Sequence, residues 1–152
     1  METTATTQQA PRPRELTASE RLIVETVLAA LPDAVAVYLF GSRARPEDLR
    51  EGSDWDVAVL AAGGGMDAMT WFDLRYDLAT ALEVEKVDLV DLKNADFIIR
   101  ETVLDEGVLL YSGDEFQRIR WEIASEKLIE EWRPFYEESR DAFLTRFHTE
   151  HE

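Results

Sequence analysis

Cysteine is absent from this sequence, and basic residues are scarce. Its 152 residues include 16 Lys and Arg against 32 Asp and Glu, which gives a formal charge of −16. Without cysteine the chain has no disulfide, thiolate zinc site or cysteine nucleophile, so its chemistry relies on oxygen and nitrogen ligands. Such a negative charge repels a phosphate backbone, and we expect no direct contact with nucleic acid. The acidic surface fits either a basic protein partner or a merely solvated exterior.

Long apolar runs are absent as well. No run approaches the roughly 20 residues that a membrane span requires, and the segment from Met1 to Pro13 has no apolar stretch of the kind found in secretory signals. We therefore expect a cytoplasmic protein without membrane contact. Hydrophobic residues still make up 45% of the chain, which is enough to close one core, so a single domain is expected.

Four segments can be distinguished along the chain. The first segment, residues 1–15, is rich in Thr, Gln and Pro without apolar periodicity, which is typical of a disordered tail. Changes in periodicity place a core over 16–112, a helical arm over 113–147 and a frayed tail over 148–152. Pro134 lies inside the arm and should kink or split its helix.

Helical and strand patterns alternate within the core. Short apolar runs rich in β-branched residues predict strands, and apolar residues spaced three and four apart predict helices. The predicted strands cover about 34–40, 54–60, 86–92 and 108–111, and the predicted helices cover about 18–31, 66–82, 94–105 and 114–147. This order predicts a small mixed-sheet α/β (α+β) domain followed by a C-terminal helical arm.

Two aspartates of the second predicted strand, Asp54 and Asp56, form the first part of a candidate site. Side chains alternate along a strand, so both project to one side from Cα atoms about 7 Å apart, whereas Trp55 points the other way. Two anions on one face of an otherwise apolar strand are costly unless a cation or a set of hydrogen-bond donors neutralises them. Magnesium is the natural cation, because it prefers oxygen ligands and is commonly held by one or two carboxylates together with water and phosphates.

Gly41 and Ser42 follow the first predicted strand. A glycine there lets backbone N–H groups approach a phosphate without a Cβ in the way, and the serine adds a hydroxyl donor. Arg43 and Arg45 come next, and their guanidinium groups match phosphate oxygens, although both also fit solvated loop cations. This pattern is typical of a triphosphate site beside a metal.

A third carboxylate would complete a site for metal-assisted phosphoryl or nucleotidyl transfer. The third predicted strand offers Asp88 and Asp91. Because they are three residues apart, they lie on opposite faces of the strand and only one of them can join the site.

These residues resemble the minimal nucleotidyltransferases of the DNA polymerase β-like superfamily, whose pattern is Gly-Ser, a loop, Asp-x-Asp and then a strand with a third acid. The pattern here reads GSRAR, SDWDVAVL and, some 30 residues later, VDLVDL, within about residues 18–112. The resemblance favours the first aspartate of the last segment as the third acid. It implies catalytic magnesium ligands at Asp54, Asp56 and Asp88 and nucleotide contacts at Gly41, Ser42, Arg43, Arg45 and Ser53.

Within that superfamily the sequence resembles the MntA-type antitoxins, which transfer AMP from ATP to a tyrosine of a HEPN-domain ribonuclease toxin, HepT, and silence it. The resemblance implies an Mg²⁺-dependent protein adenylyltransferase with ATP as substrate and a HEPN-domain toxin as partner in a hetero-oligomer. Two other functions stay open. One is a small-molecule nucleotidyltransferase of the antibiotic-modifying kind, and the other is a non-catalytic neutraliser that binds a toxin sterically.

The sequence departs from the family pattern in the loop between serine and the first acid. Eleven residues separate Ser42 from Asp54, one more than is usual in the family, and Pro46 stands where a glycine commonly follows Ala-Arg. Trp55 replaces a small aliphatic residue. A longer loop costs little entropy, so we expect activity to survive. The missing glycine bears on the phosphate contact of Arg45.

Aromatic residues and methionines are frequent in the second predicted helix and in the arm. Met66, Met69, Trp71 and Phe72 recur at helical spacing and are expected in the core. The aromatic residues of the arm fit either packing against the domain or anchoring of a partner. They are Trp121, Trp132, Phe135, Tyr136, Phe143 and Phe147.

Overall fold

The structure is a computed structural model, and it describes residues 15–45 and 54–151, with side chains as far as residue 138. Within these residues the helices are α1 (Ala18–Ala30), α2 (Ala68–Leu82), α3 (Phe97–Glu106) and α4 (Glu115–His151). The strands are β1 (Ala36–Phe40), β2 (Trp55–Leu60), β3 (Val87–Asp91) and β4 (Val108–Ser112). Short 3₁₀ helices cover Gly41–Ala44 and Leu92–Asn94.

The strands form one mixed sheet in the order β3-β2-β1-β4. β1 runs antiparallel to both β2 and β4, whereas β2 and β3 are parallel. A parallel step needs a crossover connection, and α2 supplies it between β2 and β3. The mixed sheet and its helices confirm the predicted fold class.

Helices cover both faces of the sheet. Alternation along β1 sends Val37 and Leu39 to one face, where they pack with α1 and α2 residues such as Ile23 and Leu74. The other residues of β1 face α3 and α4 and join a second buried cluster with Val103 and Trp121; they are Ala36, Tyr38 and Phe40. The buried pattern of β1 is continuous for this reason.

The four helices of the described residues begin at capped turns. In α1 the backbone N–H of Glu20 donates to Thr17 Oγ1 at 3.1 Å, and the backbone N–H of Thr17 donates to Glu20 Oε1 at 2.9 Å. This reciprocal pair is a capping box. The side chains of Asp67, Asp96 and Asp114 accept from backbone N–H groups in the first turns of α2, α3 and α4. α3 therefore begins at Phe97, later than predicted, because a 3₁₀ turn occupies Leu92–Asn94.

Pro134 was predicted to kink or split the arm, and the structure shows that a split is wrong. α4 passes through Pro134 as one helix and runs to His151, so it also includes residues 148–151, which were predicted to fray. Contacts with α3 hold the helix around the proline: Arg133 pairs with Glu101, and the ring of Phe97 lies 5.6 Å from that of Tyr136. We attribute the continuity to this support, which compensates for the missing hydrogen bond.

The apolar residues of α2 do not all enter the core. Trp71 and Met66 pack against it, as predicted. Met69 and Phe72 are 68% and 57% exposed, so the prediction is wrong for these two. They lie three residues apart on the outer side of the helix.

Some predictions fall outside the described residues. They concern the tail over 1–14, the loop over 46–53 with Pro46 and Ser53, and the side chains of Phe143 and Phe147. In the part of the chain that the structure describes, no helix combines the length and apolar character needed to cross a membrane.

Candidate active site

The three candidate acids lie at one end of the sheet, where β1 ends and β2 and β3 begin. The parallel pairing of β2 with β3 sets Asp56 directly opposite Asp88. Asp54 immediately precedes β2 and lies two residues before Asp56, which places its Cβ on the same side of the chain. Adjacent strands are about 4.8 Å apart, so the pairing brings the two facing carboxylates close together.

Asp91, the alternative third acid, has a different role. Its carboxylate accepts hydrogen bonds from the backbone N–H of Met66 at 2.8 Å, the backbone N–H of Lys93 at 3.1 Å and the Asn94 side chain at 2.9 Å. These bonds tie the turn before α2 to the end of β3. The arrangement makes Asp91 a structural residue and leaves Asp88 as the acid beside Asp56.

The electrostatics of the cluster centre on Asp56, which is half-buried. Burial, a hydrogen bond shared with Asp88 and the negative charges of Asp88 and Asp54 together raise the pKa of Asp56 from 3.8 to about 6, and nearby Lys86 acts in the opposite direction. Like charges this close disfavour ionisation of one of them. A cation bound between the carboxylates would remove that cost.

Gly41 packs its backbone directly against the Asp56 side chain. Its φ is +73°, in the left-handed region that favours glycine. A Cβ built on Gly41 would stand 2.1 Å from Asp56 Oδ2. Two independent restrictions, backbone conformation and lack of space, therefore select glycine at this position.

The residues after Gly41 form a short turn that carries two arginines. Gly41–Ala44 forms one 3₁₀ turn, in which the backbone N–H of Arg45 donates to the carbonyl of Ser42 at 3.1 Å. The Arg43 guanidinium lies over the Trp55 ring, 4.4 Å from its centroid. Arg45 forms an ion pair with Glu106 at the end of α3.

An open cavity adjoins Asp54 and Arg43. Its volume is about 380 Å³. The residues that line it come from the 3₁₀ turn after β1, from the start of β2 and from the turn between α2 and β3; they are Arg43, Asp54, Trp55, Glu83, Val84, Glu85 and Lys86. It provides room for a substrate next to the acids.

The model of the family described as "Polymerase beta, Nucleotidyltransferase" matches residues 23–116 of the chain. This stretch contains Gly41, Asp54, Asp56 and Asp88. The chain belongs to this nucleotidyltransferase family.

One named protein sequence and two solved structures are similar to this nucleotidyltransferase. It is 36% identical, over 97 residues, to Protein adenylyltransferase MntA of Shewanella oneidensis (strain MR-1), and the match covers 64% of this chain and 68% of the relative. A solved structure of a toxin–antitoxin with AMP-PNP matches with a TM-score of 0.71 and 27% identity, over 82% of this chain and 98% of that one. A structure of the tri-AMPylated Shewanella oneidensis HEPN toxin in complex with MNT antitoxin matches with a TM-score of 0.68 and 26% identity, over 83% and 96%.

The donor set of this nucleotidyltransferase fits magnesium. The described residues contain no group of three or more His, Asp or Glu side chains already arranged to hold a metal ion. Magnesium does not need one, because it commonly takes one or two carboxylates and completes its shell with water and substrate phosphates. Asp56 and Asp88 provide such a pair, and Asp54, directly before β2, adds a third carboxylate.

Sequence reasoning missed two contributors to the site. Glu106 lies 61 residues after its ion-pair partner Arg45, so no local pattern connects them. Lys86 directly precedes β3 and lowers the pKa of Asp56 through its charge. Its position two residues before Asp88 was a usable signal, because side chains two apart on a strand share a face.

Proposed function

We propose that this nucleotidyltransferase is an antitoxin that transfers AMP from ATP to a tyrosine of a HEPN-domain toxin and thereby silences it. The observation that carries the proposal is the facing pair Asp56 and Asp88 beside Gly41, in a chain 36% identical to Protein adenylyltransferase MntA. Because the reaction consumes ATP and the target is a ribonuclease, we infer that the protein acts in the cytoplasm.

Each part of the site has a task in this reaction. The turn at Gly41 and Ser42 presents backbone N–H groups to the triphosphate, and Arg43 offsets its negative charge. Asp54, Asp56 and Asp88 would hold Mg²⁺, which when bound supplies positive charge that stabilises the developing charge at the α-phosphate.

The transfer balances without a further reactant. The tyrosine oxygen forms a bond to the α-phosphorus, the bond between the α-phosphorus and the bridging oxygen breaks, and pyrophosphate leaves. Asp88 is the more exposed acid of the facing pair, and we assign its carboxylate to accept the hydroxyl proton.

The charge of the chain suits the proposed partner. A net charge of −16 favours association with a basic surface, and a ribonuclease toxin handles RNA through such a surface. We propose a hetero-oligomer in which the acidic antitoxin binds the toxin and presents its tyrosine to the site.

The test uses α-labelled ATP, Mg²⁺ and a purified HEPN-domain toxin encoded beside this protein. The Asp54→Asn/Asp56→Asn variant should transfer no label to the toxin, whereas Asp73→Asn, which changes an exposed acid of α2, should transfer it at the normal rate. Label transfer by the double variant would refute the site assignment. Protection of cells by a double variant that transfers no label would instead indicate a steric neutraliser.

The cavity beside Asp54 favours a second candidate function. Three acids, Asp54, Glu83 and Glu85, line it together with two cations, Arg43 and Lys86, and the excess of one negative charge suits a cationic small molecule. Under this alternative the protein would adenylylate aminoglycoside-like or lincosamide-like compounds when no protein acceptor is present. Label transfer to such compounds, with none to the toxin, would favour the alternative.

A further inference from the structure

A second pocket lies at the opposite end of the sheet from the acids, between the start of α4 and the ends of β2 and β3. Its volume is about 230 Å³, below the roughly 300–1,000 Å³ typical of sites for drug-sized ligands. The described residues that line it are Val35, Leu60, Lys93, Gln117, Arg120, Trp121 and Ala124. None of these lining residues is acidic.

Trp121 lines this pocket and carries a buried indole N–H. The residue is 9% exposed, and its indole N–H has no acceptor among the residues that the structure describes. The ring packs against Tyr38, with centroids 6.2 Å apart, and the Arg100 guanidinium lies 5.5 Å from its centroid. A buried N–H without an acceptor is unfavourable. The nitrogen is shut off from solvent, so a ligand oxygen in the cavity accepts from it only after the ring turns, and the new hydrogen bond would then add binding energy.

Two cations of the pocket are also without polar partners. In the described part of the chain, the Lys93 ammonium and the Arg120 guanidinium form no hydrogen bond or ion pair; Arg120 only stacks on Phe116. The contrast with Arg118 is sharp, because that residue, two positions earlier on α4, pairs with both Glu115 and Glu122.

The geometry of α4 explains this contrast. Residues three, four and seven apart share one side of a helix, so Gln117, Arg120, Trp121 and Ala124 face the pocket together. Glu115 and Glu122 lie on another side of the helix, where they hold Arg118. In a chain with twice as many acids as bases, α4 and the turn after β3 thus leave two cations, an amide and an indole N–H around one cavity.

We propose that this pocket binds a small anion with a carboxylate or phosphate group. Its oxygens would lie between Lys93 and Arg120, and the Gln117 amide would add a donor. A small turn of the Trp121 ring would bring its indole N–H to the same oxygens. Val35, Leu60 and Ala124 would contact an apolar part of the ligand. The site lies at the far end of the sheet from Gly41 and Asp56, so it is separate from the nucleotide site.

The test follows the indole N–H signals of the full-length protein by nuclear magnetic resonance during titration with inorganic phosphate and, separately, with succinate. The Trp121 signal is identified from its loss in Trp121→Phe. We expect one or both anions to shift it saturably, beyond any shift caused by sodium chloride at the same ionic strength. The indole of Trp71, which donates to the Leu89 carbonyl at 2.9 Å, should not move. A response to phosphate alone or to succinate alone identifies the group that the pocket prefers.

Two variants decide whether the cations form the site. Lys93→Gln/Arg120→Gln should weaken anion binding at least tenfold. The control Lys127→Gln removes an exposed cation that lies on α4, like Arg120, but outside the pocket, and it should bind anions as before. If the double variant does not fold by circular dichroism, Arg120→Gln alone, at an exposed position, serves instead and should weaken binding. Absence of a saturable shift with both anions, or unchanged affinity in the folded cation variant, would overturn the proposal.

Discussion

The backbone of Gly41 lies so close to the carboxylate of Asp56 that a Cβ on the glycine would stand 2.1 Å from Asp56 Oδ2. Gly41 directly follows β1, and Asp56 belongs to the neighbouring antiparallel strand β2, where it pairs with Phe40, the residue before the glycine. One contact therefore joins the turn that is expected to hold the triphosphate to an acid that is expected to hold the metal.

Replacement of Gly41 by alanine should abolish AMP transfer. The change forces a non-glycine residue to φ +73° and displaces the Asp56 side chain, so we expect at least a hundredfold loss of rate. Gly63→Ala is a matched control, because Gly63 has φ +70° and nothing within 4 Å of its added Cβ. Both variants should lose about 1 kcal/mol of unfolding free energy from backbone strain. Equal rates in the two variants would argue against the role of this contact.

Asp56→Asn should stabilise the metal-free protein at alkaline pH while it abolishes activity. Burial and the neighbouring Asp88 raise the pKa of Asp56 to about 6, from the ordinary aspartate value of 3.8. The folded state therefore holds the proton more tightly than the unfolded state, and this stabilising contribution is full below about pH 3.8 and is lost as the pH rises through about 6.

Urea unfolding at pH 4 and pH 8 measures this effect. At pH 8 we expect Asp56→Asn to be more stable than the parent by about 1 kcal/mol, a figure discounted because the side chain is only half-buried. The difference should shrink at pH 4. The exposed control Asp73→Asn should stay within about 0.5 kcal/mol of the parent at both pH values. A destabilised Asp56→Asn at pH 8 would contradict the electrostatic interpretation.

Magnesium binding should strengthen as the pH rises, whereas the stabilising contribution of the protonated Asp56 is lost as the pH rises. Because the metal needs an ionised carboxylate, protons compete with it once the pH falls below the pKa of Asp56, about 6. The rise in melting temperature on addition of Mg²⁺ with AMP-PNP should be full at pH 7.5 and greatly reduced at pH 5. An equal rise at both pH values would remove Asp56 from the metal site.

The sequence predicted the local parts of the site. Alternation along a strand is a local property, and it correctly placed Trp55 on the face opposite to Asp56, against the α1 and α2 side of the core. The choice between Asp88 and Asp91 could not be made from spacing, because it depends on how β3 pairs with β2. That register is set by packing over the whole sheet.

The wrong predictions have the same origin in long-range contacts. Met69 and Phe72 follow a helical apolar pattern, yet α2 buries the side that carries Leu74 and Leu78. Pro134 obeys a local rule that contacts with α3 override. The ion pair of Arg45 with Glu106 spans two elements that no short motif connects.

Trp55 should act on ATP binding through Arg43. The indole ring under the guanidinium holds that group near Asp54 and the cavity, and such stacking contributes about 0.5–1 kcal/mol at exposed sites. Trp55→Leu keeps the apolar packing but removes the ring, so we expect KM for ATP to rise about two- to fivefold with kcat nearly unchanged.

A double variant tests whether the ring works only through the guanidinium. Arg43→Gln should raise KM for ATP more than Trp55→Leu does, and Trp55→Leu/Arg43→Gln should be no worse than Arg43→Gln alone, because the ring then has nothing to position. Additive effects would show that Trp55 contributes to the site independently of Arg43. A fall in kcat for Trp55→Leu, with KM unchanged, would instead indicate that the bulky residue between the acids positions Asp54 and Asp56 themselves.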